Sequence, residues 1–247
     1  MRTLIAIPVY NEERYVERVL SRVLEFADTV LVIDDGSSDS TPSLLPKFPV
    51  EVIRHARNRG YGHSLLDAFR WANVDGFDWV ITMDCDEQHE PEAIPRFLEA
   101  IGENKHDVIS GSRYLPDSLG EDTPPENRRR INARITDELR TRLGLPITDA
   151  FCGFKAYRVS AIRKMSLDVD GYAFPLQFWV QAVKHELRIA EIPVKLIYND
   201  PNRTFGGPLD DNDKRLAHYL SVLETSICRA GLPQCNKNAP IETLAGA

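Results

Sequence analysis

The sequence lacks the marks of several common protein classes. No apolar run approaches the roughly 20 residues that a membrane-spanning helix requires, and the N-terminal residues lead directly into a predicted strand, so we expect no signal peptide. The four cysteines have neither metal-type nor disulfide-type spacing, which is typical of a reducing compartment. A formal net charge of −7 argues against nucleic acid as a general partner. We therefore expect a soluble or peripheral protein with one full core.

Two phosphate-binding motifs are also missing. The first predicted strand–helix turn, Tyr10-Asn11-Glu12, has no glycine, so the chain is not a dinucleotide fold of the G-x-G-x-x-G type. A Walker loop is absent as well. A nucleotide would have to be held in another way.

What the sequence does contain is a regular alternation of strands and helices. Apolar runs predict five strands in the first half, at 3–9, 29–33, 50–53, 79–82 and 108–110, separated by segments of helical periodicity. A further strand is predicted to end near Tyr157, another covers 189–197, and helices are predicted at 128–143, 175–185 and around 216–227. This alternation predicts an α/β fold with a doubly wound, mostly parallel sheet flanked by helices.

The most informative stretch is Met83–His89, which follows the predicted strand Trp79–Thr82. In an extended chain the side chains of Asp84 and Asp86 point the same way, and their Cα atoms are roughly 7 Å apart. Together with the amide oxygen of Gln88 they form a set of oxygen ligands that suits Mg²⁺ or Mn²⁺. A lone D-x-D is more often a solvated acidic loop, so the interpretation depends on its surroundings.

Two other predicted strands end in polar turns, at residues 8–12 and 34–37. In a parallel sheet both turns lie at the same edge as Asp84, where open α/β sheets bind ligands. A site there could hydrogen-bond a nucleotide base and ribose while a metal neutralises the diphosphate. The convergence of three acidic strand ends favours that interpretation over isolated turns.

Six motifs, PVYNE, VIDDGSSDST, NRGYG, MDCDEQHEP, GSRY and CGFKAY, occur in the order and at the spacing typical of family 2 glycosyltransferases. The sequence resembles that family over roughly residues 3–207, and most resembles its polyprenol-phosphate (dolichol-phosphate) mannose and glucose synthases. The resemblance implies the GT-A fold. It implies one domain, residues 1–230, with a nucleotide-sugar half at 1–112 and an acceptor half at 113–230. Residues 231–247 are predicted to be a loose tail.

On the donor side, the resemblance implies roles for matched positions only. Base and ribose would be surrounded by Pro8, Tyr10, Glu12 and Asp35. Asp84 would contact nucleotide or sugar, and Asp84, Asp86 and Gln88 would hold the metal. Arg113 would bind phosphate, and Arg203 lies in a loop that closes over the nucleotide. Asp86, Arg113 and Asp149 are the predicted catalytic residues.

On the acceptor side, the resemblance places an acceptor-phosphate arginine among Arg128, Arg129 and Arg130. Gln177 stands among the substrate-binding positions where relatives usually carry a glutamate, so Asp149 is the remaining carboxylate candidate. An alcohol acceptor needs a carboxylate base, whereas a phosphate is already ionised at neutral pH and needs cations. The sequence departs from the synthases at 207–211, where Gly-Pro-Leu-Asp-Asp replaces the usual continuation with Ser-Lys.

We therefore predict a metal-dependent, inverting glycosyltransferase that uses Mg²⁺ or Mn²⁺. It would move mannose or glucose from GDP-mannose or UDP-glucose to a polyprenyl phosphate. It would be cytoplasmic, working at the membrane as a peripheral protein or with a membrane-protein partner. One alternative is the same donor chemistry with a soluble or glycan alcohol acceptor, and another is a non-catalytic nucleotide-sugar-binding relative or a nucleotidyltransferase. The base, the sugar, the metal and the oligomeric state stay open.

Overall fold

A computed structural model describes residues 1–118, 125–198 and 206–233, and the backbone of residues 242–243. Its strands form one sheet in the order β3-β2-β1-β4-β6-β5-β7-β8. The strands are β1 (Thr3–Val9), β2 (Val30–Asp34), β3 (Glu51–Arg54), β4 (Trp79–Thr82), β5 (Val108–Ser112), β6 (Lys155–Arg158), β7 (Ile189–Pro193) and β8 (Glu242–Thr243).

Helices connect the strands and cover both faces of the sheet. They are α1 (Val16–Val23), α2 (Thr41–Leu44), α3 (Tyr61–Val74), α4 (Ile94–Gly102), α5 (Glu126–Leu143), α6 (Val159–Ile162), α7 (Phe174–Lys184) and α8 (Asn212–Ala230). Short 3₁₀ helices lie at Leu45–Lys47, Pro91–Ala93 and Gly207–Asp210. Within the described part of the chain, no helix has both the length and the apolar character to cross a bilayer.

The sheet is parallel except at β6, which runs antiparallel to both neighbours, β4 and β5. The predicted doubly wound, mostly parallel sheet is therefore confirmed, and the strand boundaries shift by only a few residues. Strand β6 lies inside the sheet between β4 and β5, and its residues Lys155, Ala156 and Tyr157 are accordingly buried. The antiparallel direction brings the start of β6 to the edge where β4 ends, since Thr82 pairs with Lys155.

The continuous apolar runs of the strands are explained by cores on both faces of the sheet. Along β1, Leu4 and Ala6 belong to the cluster formed with α3, α5, α7 and α8, whereas Ile5 and Ile7 belong to the cluster formed with α1 and α4. Successive strand side chains point to opposite faces, so a sheet covered on both faces needs apolar residues at consecutive positions.

The C-terminal region contributes one short strand to the sheet. In residues 231–247, only 231–233 and the backbone of 242–243 belong to the described part, and there β8 pairs in parallel with β7. The rest of that predicted tail lies outside the described residues.

Candidate active site

The turns after β1 and β2 are joined by hydrogen bonds at one edge of the sheet. The Asp35 N–H donates to the Val9 carbonyl (2.9 Å), and the Asn11 N–H donates to Ser37 Oγ (2.9 Å). The Glu12 N–H donates to Thr41 Oγ1 (2.8 Å). The strand ends therefore meet as predicted, with Glu12 buried, Pro8 half-buried and Tyr10 exposed.

The Asp35 carboxylate is buried and fastens the loop that leads into α3. Its Oδ1 accepts from the Arg59 N–H (2.7 Å) and contacts His55 Nδ1 (2.7 Å), and its Oδ2 accepts from the Gly60 N–H (2.8 Å). Gly60 has φ +102, and an added Cβ there would lie 2.4 Å from the Asp170 carbonyl oxygen. Asp35 thus holds the Asn-Arg-Gly-Tyr-Gly segment against the edge of the sheet.

The acidic turn after β4 is held by its own backbone and by His89. Asp86 Oδ1 accepts from the Gln88 N–H (3.0 Å), and His89 Nδ1 accepts from the Asp84 N–H (2.9 Å). Glu87 in this turn has φ +59. The chain bends from Cys85 onward, so the predicted extended path does not continue through the turn. Cys85 lies in the core, as its alternating position predicts.

Polar atoms in this turn suit a divalent cation. Among the described residues, Asp84 Oδ1 and Gln88 Nε2 are buried without a hydrogen-bond partner. Gly153 faces Asp84 so closely that an added Cβ would lie 2.6 Å from Asp84 Oδ2. Buried polar atoms cost free energy unless they are paired. The unpaired carboxylate oxygen of Asp84 suits Mg²⁺ or Mn²⁺ and needs glycine opposite, whereas Gln88 Nε2 is a hydrogen-bond donor and not a ligand. Burial and the Asp84 charge also raise the pKa of the neighbouring Tyr61.

Arg113 and Asp149 form a two-bond ion pair at the end of β5. Arg113 Nε donates to Asp149 Oδ2 (2.7 Å) and Nη2 donates to Oδ1 (3.0 Å). Oδ1 also accepts from Asn132 Nδ2 (2.9 Å). Burial alone would raise the pKa of Asp149, but the Arg113 charge and these hydrogen bonds hold it well below its ordinary value. Asp149 is thus ionised at neutral pH and orients Arg113.

Behind this pair, a buried polar network supports the segment that precedes β6. Glu191 accepts from the Thr148 N–H (2.9 Å to Oε2) and from Thr148 Oγ1 (2.8 Å). Lys155 Nζ donates to the Cys152 carbonyl oxygen. Burial lowers the pKa of Lys155 and raises that of Glu191. Groups this deeply buried persist because their hydrogen bonds are satisfied, and together they fix residues 148–152 at the site.

The predicted acceptor-side residues are only partly brought together. The buried Gln177 side chain accepts from the Asp168 and Val169 N–H groups (2.8 and 3.0 Å) and donates to Asp168 Oδ1 (2.6 Å). It therefore holds the segment before α7. Three arginines lie in the first turns of α5: Arg128, Arg129 and Arg130. Arg129 and Arg130 are exposed, and Arg128 lies 5.3 Å from the Tyr198 ring. Arg203 lies outside the described residues.

Several polar residues at the site were not identified from the sequence. Asn132 and Glu191 lie in none of the six motifs, and Lys155 lies in CGFKAY without an assigned role. Their roles arise only when β5, β6 and β7 are side by side. His63 lies in the first turn of α3 and is buried beside Asp67. The i, i+4 spacing of His63 and Asp67 was the one available signal.

Comparisons with known proteins agree with this geometry. The model of the family "Glycosyl transferase family 2" matches residues 4–166. The undecaprenyl-phosphate mannosyltransferase of Micrococcus luteus is 32% identical over 207 residues, covering 80% of this chain and 84% of that protein. The polyprenol monophosphomannose synthase of Mycolicibacterium smegmatis is 31% identical over 205 residues, covering 78% of this chain and 76% of that protein.

Among solved structures, the glucosyl-3-phosphoglycerate synthase of Mycobacterium tuberculosis with Mn²⁺ and UDP-glucose has a TM-score of 0.70. It is 18% identical, and the match covers 94% of this chain and 80% of that chain. A likeness at this identity shows the fold, which is the GT-A fold expected from the sequence. Because the family model spans most of the chain and the relatives exceed 30% identity, the chain belongs to the family 2 glycosyltransferases.

Proposed function

We propose that this glycosyltransferase moves a hexose, mannose or glucose, from GDP-mannose or UDP-glucose to a polyprenyl phosphate, with inversion at the anomeric carbon. One observation carries the proposal: the Asp149–Gly153 segment contacts both Asp84 and Arg113. Gly153 packs on Asp84 while Asp149 orients Arg113. Asp84, which is suited to a metal-bound diphosphate, and Arg113, which is suited to a phosphate, therefore lie at the same edge of the sheet. The two relatives named for transfer to polyprenyl phosphates support this acceptor.

The donor site in this proposal is centred on the acidic turn. Asp84, Asp86 and Gln88 would hold Mg²⁺ or Mn²⁺, and Pro8, Tyr10, Glu12 and Asp35 would surround the base and ribose. The bound ion would neutralise the charge that grows on the nucleoside diphosphate as it leaves. Arg203, in the segment before Gly206, stays the predicted residue that closes over the nucleotide.

Arg113 supplies a fixed positive charge in this proposal. The Asp149 carboxylate lies against two of its guanidinium nitrogens and raises the pKa of Arg113, although burial alone would lower it. A cation already in place costs no reorganisation when phosphate charge develops, and such preorganised groups are typically worth about 3–4 kcal/mol of barrier. Asp149 acts here as a positioning residue, since its oxygens are held by Arg113 and Asn132.

The acceptor side favours a phosphate over an alcohol. Of the two candidates for a base, Asp149 is committed to Arg113, and Gln177 is uncharged and engaged with residues 168–169. A phosphate acceptor is ionised without a base, and the arginines at the start of α5 would attract it. Because a polyprenyl phosphate lies in a membrane, we place the enzyme at its cytoplasmic side, as a peripheral protein or with a membrane-protein partner.

The proposal is tested by measuring sugar transfer from GDP-mannose and UDP-glucose, each with Mn²⁺ or Mg²⁺, to a short-chain polyprenyl phosphate. Parallel reactions offer free sugars and glycan alcohols. We expect product with the lipid phosphate and loss of product with a chelator. Product formed only with the alcohols would establish the alternative acceptor, and binding of nucleotide sugar without transfer to any acceptor would indicate a non-catalytic relative.

A further inference from the structure

A second cluster of metal-ligating side chains lies away from the acidic turn, at the start of α3. His55 Nε2 is 3.0 Å from Asp67 Oδ2, and His63 Nε2 is 3.3 Å from the same oxygen. The three ligand atoms all lie within 4.8 Å of one another. A tetrahedral ion with bonds of ~2.1 Å holds its ligands roughly 3.4 Å apart, and the two separations from Asp67 Oδ2 are close to that value.

Each imidazole in the cluster is backed by a second carboxylate. His55 Nδ1 lies 2.7 Å from Asp35 Oδ1, and His63 Nδ1 lies 2.9 Å from Asp170 Oδ1. Histidines that bind metals through one nitrogen usually donate the other N–H to a carboxylate, which fixes the tautomer and the ring. In the tautomer that carries its proton on Nδ1, each ring turns the Nε2 lone pair toward Asp67.

Three carboxylates meet two imidazoles in this cluster. A neutral imidazole carries one N–H, so a ring that donates to one carboxylate keeps a lone pair that a cation can take. His63 is 8% exposed, and its Nε2 has no hydrogen-bond partner among the described residues. Arg70 pairs with the other Asp67 oxygen (2.6 Å). That single guanidinium does not balance the carboxylates of Asp35, Asp67 and Asp170.

We propose that His55 Nε2, His63 Nε2 and Asp67 Oδ2 bind one divalent ion of the zinc class, with water as the fourth ligand. Two imidazoles and one carboxylate suit Zn²⁺ or Co²⁺, whereas the oxygen ligands of the acidic turn suit Mg²⁺ or Mn²⁺. The two sites would therefore select different ions. None of the three ligands is among the residues assigned to the donor or acceptor, although His55 contacts Asp35 of the donor site.

The ion would join parts of the chain that are distant in sequence. His55 follows β3, His63 and Asp67 lie in α3, and Asp170 precedes α7. Because His55 also contacts Asp35, the ion would stiffen the loop that Asp35 fastens to the sheet edge. Its expected effect is thus on the stability of this region rather than on the reacting atoms.

Titration of the metal-free full-length protein with ZnCl₂ alone, by isothermal calorimetry, tests the proposal. We expect one tight site per chain that excess Mg²⁺ does not occupy, and a rise in melting temperature on adding Zn²⁺. Co²⁺ in place of Zn²⁺ should give the visible absorption of a four-coordinate ion. His63→Ala and Asp67→Asn should each weaken binding at least tenfold, and Asp170→Asn about 10–100-fold, as expected for a supporting carboxylate.

His218→Ala, which removes an exposed histidine from α8, is the matched control and should bind Zn²⁺ like the unaltered protein. If His63→Ala fails to fold, as judged by circular dichroism, Asp67→Asn carries the same test with its shape preserved. The proposal is overturned if the unaltered chain takes up no Zn²⁺. It is equally overturned if Asp67→Asn and His218→Ala bind Zn²⁺ with the same affinity as the unaltered chain.

Discussion

Arg113 and Asp149 meet through two parallel hydrogen bonds of 2.7 and 3.0 Å, and the Asp149 side chain has no exposure to solvent. A second aspartate–arginine set lies at the opposite end of the same strand, where Asp107 pairs with Arg158 and Arg188. The two sets bracket β5, but only the first lies at the candidate active site. Substitutions in the two sets therefore distinguish a loss of sugar transfer from a loss of stability alone.

Replacing Asp149 by Asn should impair both stability and transfer. The change leaves the Arg113 guanidinium buried without its anion, which typically costs about 3–5 kcal/mol of unfolding free energy. It also releases the guanidinium from its orientation, so we expect transfer to fall by about 10²-fold or more. Urea unfolding and the sugar-transfer assay measure the two effects. Asp107→Asn should lower stability but keep transfer, and equal losses of transfer in both variants would contradict the assignment.

The same pair predicts how stability depends on pH. The folded-state pKa of Asp149 lies below its unfolded value of about 3.9. A depressed pKa means stability that is present above about pH 4 and lost as pH falls toward the folded value. Unfolding free energy should therefore begin to decline as pH falls through about 4 and continue to decline toward the folded-state pKa. Asp149→Asn should decline less steeply, and identical slopes in the two proteins would exclude Asp149 as a source of the dependence.

Replacing Asp86 by Asn should abolish most of the metal-dependent transfer. The substitution keeps the shape that accepts the Gln88 N–H but removes one charge from the proposed ion site, at a cost of about 3–4 kcal/mol of barrier. The loss is measured from the rates of sugar transfer at several Mn²⁺ concentrations. Glu87→Gln is the matched control, because Glu87 is in the same turn but pairs with the exposed Arg18. Full activity in Asp86→Asn would refute the metal assignment.

Adding a single methyl group at Gly153 should disturb the donor site. An alanine Cβ there would approach Asp84 Oδ2 to 2.6 Å, so the carboxylate or the strand has to move. We expect Gly153→Ala to weaken nucleotide-sugar binding and reduce transfer by tenfold or more, consistent with the sensitivity of catalysis to displacements of about 1 Å. Gly102→Ala, where an added Cβ meets nothing within 4 Å, should leave both unchanged. Calorimetry with the nucleotide sugar provides the comparison.

The sequence predicted the sheet and its ligand edge because these depend on local signals. Apolar runs located the strands, and polar turns after β1, β2 and β4 located the edge, since parallel strands expose their carboxyl ends on one side. The acidic turn was found for the same reason. The family motifs added the reaction class, which the comparisons confirm.

Long-range packing accounts for what the sequence did not reveal. Periodicity gives no direction for β6, so the contact of Gly153 with Asp84 could not be foreseen. Gln177 was assigned by position to the substrate, yet residues 168–169 use its hydrogen bonds. Asp211 lies in the segment 207–211, where this sequence departs from the synthases. It caps α8 by accepting hydrogen bonds from the Asp213 and Lys214 N–H groups. Such roles depend on neighbours that are far apart in sequence or on cap geometry.

The reversed direction of β6 has a consequence for how this enzyme can change. In a fully parallel sheet every loop at the ligand edge leaves a strand, but here the segment Asp149–Gly153 enters one. An insertion or deletion near residues 144–147 would alter the path from α5 into Asp149, while β1, β2 and β4 keep their register. Because Asp149 orients Arg113 and Gly153 packs on Asp84, this one segment connects the two halves of the candidate site.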